Sequence, residues 1–182
     1  HTVGLKPAEN LSANITNQGS AKVYARLTAQ TQPLEITDAQ PMQGSFRLSV
    51  RYTDATGNPI DVKSLKQGTE FRAVVTVENS PEQAFTDLAL VQIFPSGWEI
   101  FNERLINGGN GSGNENYNYR DIRDDRVLTY FNLSAGQTKS FSVRLQAAYR
   151  GTYYLPPVSC QAMYAPNEQA RTVGRKVEVK AP

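Results

Sequence analysis

The sequence has one histidine and one cysteine, two residue types on which much hydrolytic and metal chemistry relies. Its one histidine is His1, at the very start, where it reads as a junction rather than a natural beginning. A serine or cysteine triad, or a histidine-bearing zinc site, is therefore not expected within this chain. There is one cysteine, Cys160, so no internal disulfide can form and the fold does not depend on one. A lone thiol fits the cytosol, or an exported bacterial protein that does without bridges. No apolar run approaches the roughly 18 residues that span a bilayer. No P-loop, GxGxxG or CxxC occurs. Charge of one sign is not massed anywhere. Lys and Arg number 19 against 17 Asp and Glu, a net +2, which argues against a nucleic-acid stripe. Long 3.6-period patterning is missing too, so little helix is expected.

What is present is alternation of period two. Phe46, Leu48, Val50 and Tyr52 alternate with Arg47, Ser49 and Arg51, and Phe71, Ala73, Val75 and Val77 repeat the pattern after Gly68. Leu88, Leu90 and Gln92 share one face of a strand over 87–94, which Pro95-Ser96-Gly97 ends. Further strands are expected at 21–28, 98–101, 127–131, 139–149, 151–155, 158–164 and 175–179. Residues 61–66 are expected to form one helical turn. Strands every eight to fifteen residues predict an all-β, antiparallel sandwich of about seven strands over 45–182. The polar, proline-bearing stretch 31–44 marks a boundary. Residues 1–44 then read as the tail of a preceding domain plus a linker. The low-complexity run Asn107 to Asn114 predicts a long loop.

Candidate sites are few. Arg120-Asp121-Ile122-Arg123-Asp124-Asp125-Arg126 could supply calcium ligands or paired carboxylates, but its three arginines favour an ion-paired lead-in to the next strand. Cys160 has no adjacent base to lower its pKa and reads as a small buried residue. Trp98 reads as a core plug. Tyr117, Tyr119, Tyr130, Tyr149, Tyr153 and Tyr154, with Phe131, suit either packing or a sugar-binding platform. Met163 and Tyr164 end a strand and suit either packing or an exposed contact. Four N-x-[ST] sites, at Asn10, Asn14, Asn110 and Asn132, carry little weight in so Asn- and Ser-rich a chain.

Four motifs, in order, resemble one family. They are Leu88-Ala89-Leu90-Val91-Gln92-Ile93-Phe94-Pro95-Ser96-Gly97-Trp98-Glu99-Ile100, the block Tyr119 to Val127, Ala148 to Val158 with its Leu155-Pro156-Pro157, and Gln161-Ala162-Met163-Tyr164 followed by Ala170-Arg171-Thr172. This order resembles the last macroglobulin-like domain of bacterial alpha-2-macroglobulins. Residues 10–30 are more distantly similar to the CUB-like domain that precedes it. Gln161 departs from the family's usual glutamate there, and Ser159-Cys160 stand where small apolar residues are usual.

The resemblance implies a non-enzymatic C-terminal module of a protease inhibitor in the bacterial cell envelope. That protein would be periplasmic or surface-exposed, with a lipid anchor outside this segment. In such traps a protease cuts a bait region, domains rearrange, and a thioester often captures the protease covalently. The module would pack on the thioester domain, with Met163 and Tyr164 shielding the thioester from water. Its partners would be sister domains and, through the whole protein, target proteases. No cofactor, nucleic acid or membrane insertion is implied. Cys160-Gln161-Ala162-Met163 lacks the Cys-x-x-Gln spacing, so the thioester would lie elsewhere in the protein. The rival reading is an immunoglobulin-like spacer or adhesin domain of a surface protein.

Overall fold

Alternating apolar residues fold onto one face of a strand, and two such faces must meet to leave water. The computed structural model describes residues 16–24, 26, 41–101 and 116–182. These form strands β1 (Phe46–Thr53), β2 (Ser64–Lys66), β3 (Glu70–Asn79), β4 (Phe85–Ile93), β5 (Trp98–Ile100), β6 (Tyr119–Ile122), β7 (Arg126–Leu133), β8 (Thr138–Ala147), β9 (Gly151–Leu155), β10 (Ser159–Ala162), β11 (Ala165–Arg171) and β12 (Arg175–Lys180). No helix occurs among the described residues. One sheet has the order β1-β3-β8-β5, a second β11-β10-β4-β7-β6 and a third β2-β12-β9. Every pairing is antiparallel except β2 with β12.

The chain divides into two compact units, His1–Ile36 and Thr37–Pro182. In the first, the Asn17 side chain closes a turn by accepting from Gly19 N at 3.0 Å and donating to Ala21 O at 2.8 Å. The strand expected over 21–28 is not formed by the residues described there, and Val23 and Tyr24 are exposed. Alternation alone makes no strand without a partner for its ladder. Residues 102–115, including the Gly/Asn-rich run, lie outside the described residues, as do 27–40.

In the second unit the two larger sheets share one core. Phe46, Leu48, Val75, Val77 and Phe141 of one sheet meet Leu88, Leu90, Phe131, Cys160 and Ala170 of the other. A second cluster gathers Tyr52, Phe71, Trp98, Val127 and Leu145 with Leu65, Leu155, Val177 and Val179 of the small sheet. Val50 touches both clusters. Between them, Gln92 and Thr129 are fully buried, and neither side chain has a hydrogen-bond partner among the described residues.

Several sequence expectations change at this level. Twelve described strands replace about seven. The helical turn expected at 61–66 is instead a turn at Val62–Lys63 followed by β2, because Leu65 is buried in the second cluster beside the parallel strand β12. The strand expected through 158–164 stops at Ala162, and an unforeseen strand, β11, begins at Ala165. Residues 41–44 are tied to the sandwich. Met42 pairs with Arg171, and the Gln43 amide bonds both N and O of Leu48 at 2.9 and 3.3 Å, doing for the edge of β1 what a strand would do.

Candidate docking site

β10 and β11 pair at Ala162 and Ala165, so Met163 and Tyr164 are the two residues at the tip of a hairpin. Ordinary two-residue hairpin loops need positive φ, which favours Gly or Asn. Here neither residue has it. Asp87 is the only described non-glycine residue with positive φ. The ladder absorbs the mismatch instead. Gln161 pairs with Gln169 and the next residue, Ala162, with Ala165, so Pro166, Asn167 and Glu168 bulge out of register.

The tip is apolar and solvent-exposed, Met163 at 52% and Tyr164 at 82%. It is also held in place. Met163 N donates to Asp87 O at 3.0 Å. Behind the tip, Ala162 is buried and Ala165 packs against the first core cluster. The bulge is fastened at Glu168, whose carboxylate accepts Ser45 N at 3.3 Å. Burying such a pair against another surface would remove a continuous apolar area from water, which is what an interdomain contact uses.

The other candidates resolve as structural. The Arg/Asp block forms the β6–β7 hairpin and is the ion-paired lead-in expected there. Arg123 meets Asp121 at 2.8 Å, and Arg126 grips both oxygens of Asp125 at 2.9 and 2.6 Å. That grip holds the Asp125 carboxyl below the usual carboxylate range. Among the described residues no three His, Cys, Asp or Glu side chains are grouped to hold a metal. Trp98 is buried against Phe71, ring centroids 4.9 Å apart. The tyrosines are spread over different sheets. Tyr119 and Tyr130 stack at 5.9 Å on β6 and β7, and the Tyr153 hydroxyl donates to Tyr149 O and Arg150 O around β9.

Cys160 sits in mid-β10 between Leu90 and Ala170 and is fully buried. Burial pushes its thiol up from 9.0 to about 12. Between these values the unfolded chain ionises at this group and the folded chain does not. Its contribution to stability is therefore constant below about pH 9 and declines as pH rises from there toward 12. At pH 8 an aromatic disulfide reagent is expected to leave Cys160 intact in the folded chain and to titrate it fully in denaturant. Rapid labelling of the folded chain would show the thiol to be accessible.

Residues 46–167 match the family described as the bacterial alpha-2-macroglobulin MG10 domain, more than half of the chain. The chain belongs to this family. Named relatives of the MG10 chain are far longer. The alpha-2-macroglobulin homolog of Yersinia pestis is 28% identical over 163 residues, covering 76% of this chain and 8% of its own length. The alpha-2-macroglobulin of Rickettsia conorii is 21% identical over 169 residues, with 91% and 9% covered. The chain thus spans about a tenth or less of these proteins. Among solved structures, Salmonella alpha-2-macroglobulin reacted with methylamine aligns at a TM-score of 0.70, with 22% identity over 81% of this chain and 10% of that one. A segment of native Escherichia coli alpha-2-macroglobulin from its MG7 domain to the C-terminus aligns at 0.67, with 21% identity over 84% and 25%. At such identities the structural match establishes the fold alone, an all-β macroglobulin-like sandwich, and the family match makes the chain a module of an alpha-2-macroglobulin-like protein.

Proposed function

We propose that this MG10 module is the non-catalytic closing domain of a protease trap, and that its Met163–Tyr164 tip covers the thioester of a sister domain. The carrying observation is the tip itself: two large apolar side chains, 52% and 82% exposed, at the end of a hairpin pinned by Met163 N to Asp87 O. A thioester survives in water only where water is kept from its carbonyl carbon, and a thioether with a phenol ring makes a water-excluding cover. One related structure is of a protein reacted with methylamine. Methylamine is a small nucleophile of the kind that opens a thioester. The module's own thiol is unsuited to that role, since Cys160 is buried, with its pKa pushed up to about 12.

In this reading the reactive bond, the bait region and the proteases' contacts belong to other domains. Cleavage of the bait lets the domains move and lifts the tip from the thioester. The position as last domain, the cell-envelope location and a lipid anchor outside this chain rest on the family resemblance alone. The spacer reading assigns the tip no partner.

The test uses the whole parent protein, uncleaved, and follows free thiol with time. Tyr164→Gly is expected to release the thioester's thiol at least about tenfold faster than the unmodified protein, a loss of roughly 1.4 kcal/mol of protection. Equal rates, or a parent that yields no thiol with methylamine, would overturn the cover.

A further inference from the structure

Two residues on other strands, outside the four family-like motifs, lie behind the tip and are joined to it by hydrogen bonds. β4 carries one residue too many. Phe85 pairs with Leu133 and Leu88 with Phe131, so Thr86 and Asp87 together face Asn132. Asp87 takes up the excess by turning to φ 53°, a left-handed conformation that non-glycine residues other than Asn and Asp rarely adopt. A bulge of this kind leaves backbone groups off the ladder. The Asn132 side chain fills one of those places, its Oδ1 accepting Asp87 N at 3.0 Å. The other face of the same residue is used too, with Asp87 O accepting Met163 N at 3.0 Å. Two hydrogen bonds thus form a relay, from the Asn132 side-chain amide to Asp87 N on one side of the Asp87 Cα and from Asp87 O to the amide of Met163 on the other.

We infer that Asp87 and Asn132 are positioning residues for the Met163–Tyr164 tip. This rests on the proposed cover for its purpose, though not for its geometry. Both residues are exposed and contribute nothing to the core, so packing does not explain them. Strain kept at an exposed bulge, beside the most exposed apolar pair of the sandwich, is explained if the bulge aims that pair. The relay holds the tip ready before any partner arrives, so docking need not order it first.

Two measurements separate the inference from the cover. In the 182-residue chain, hydrogen exchange at the Met163 amide is expected to rise at least about tenfold in Asn132→Ala. It should rise likewise in Asp87→Val, where a β-branched side chain opposes positive φ. Asn132→Asp keeps an acceptor oxygen and is expected to restore slow exchange. In the whole parent, Asn132→Ala should speed thiol release and Asn132→Asp should not. Unchanged Met163 exchange in both Asn132→Ala and Asp87→Val would overturn the positioning role. If exchange responds as expected while Tyr164→Gly leaves thiol release unchanged, the relay stands as geometry and the cover fails.

Discussion

Trp98→Ala is expected to lower the unfolding free energy by about 3–5 kcal/mol, the usual range for truncating a buried aromatic to alanine. The ring is 3% exposed and meets Phe71 edge-on at 4.9 Å and Tyr52 at 6.1 Å. It sits where β5, the short edge strand of its sheet, joins the second core cluster. Alanine leaves a cavity walled by three other aromatic rings, those of Tyr52, Phe71 and Phe94, and by strands tied into three ladders, so little collapse can fill it. The loss is a large part of the 5–15 kcal/mol that holds a typical domain folded. Urea unfolding followed by far-ultraviolet circular dichroism checks this, since the only tryptophan is the residue removed. The midpoint should fall with little change in slope. A shift worth less than about 1 kcal/mol would contradict a plug role for the ring.

Gly97→Ala is the second large effect, expected at about 2–4 kcal/mol from overpacking and the loss of hydrogen bonding. Pro95 to Trp98 form a tight turn, closed by Trp98 N donating to Pro95 O at 2.9 Å. A Cβ on Gly97 would overlap Tyr153 Cε2, with two more ring atoms within 2.7 Å. The ring has little freedom to yield, because its hydroxyl is bound to Tyr149 O at 3.1 Å and Arg150 O at 3.0 Å. Gly97 O itself accepts from Ala148 N and Tyr149 N, so the turn cannot easily retreat either. The Pro-Ser-Gly-Trp corner thus has its glycine because a tyrosine from β9 lies flat against it. In a Tyr153→Ala background the same Gly97→Ala change should cost less than about 1 kcal/mol, a strong coupling between touching residues. Strict additivity would contradict the contact.

Much of this fold is legible in the sequence, for a definite reason. Strands whose two faces see different surroundings write alternation into the chain, and 46–52, 71–77 and 88–92 do so plainly. Gln92 falls on the buried face by its position alone, despite its polarity. Elements stabilised by contacts distant in sequence are not legible. β2 is three residues long, and its place is set by the parallel strand β12 more than a hundred residues later. β6 is the Tyr-Arg-Asp-Ile edge, carrying charges that read equally well as a loop. Conversely 21–28 has strand alternation, and its described residues form none.

The site shows the same division. The family resemblance singles out Met163 and Tyr164, and the structure places both in solvent. The residues that hold them were invisible. A two-residue turn made of Met and Tyr carries none of the glycine, asparagine or proline signals by which turns are read, so 158–164 reads as one strand. Asp87 and Asn132 lie on strands that meet only after folding, and the extra residue in β4 shows in the sequence only as one step of three between Phe85 and Leu88, which marks no bulge until the partner strand is known.

The central claim is that the Met163–Tyr164 tip lies against a sister domain until the trap is sprung. Hydroxyl-radical footprinting read by mass spectrometry tests it most directly, since an exposed thioether and phenol are readily oxidised. In the 182-residue chain both residues should be oxidised rapidly. In the uncleaved parent they should be protected at least about tenfold, about 1.4 kcal/mol in equilibrium terms, and after bait cleavage the protection should be lost. Equal oxidation of Met163 and Tyr164 in the chain and in the uncleaved parent would show that nothing covers the tip, and the account of this module as a shield would be wrong.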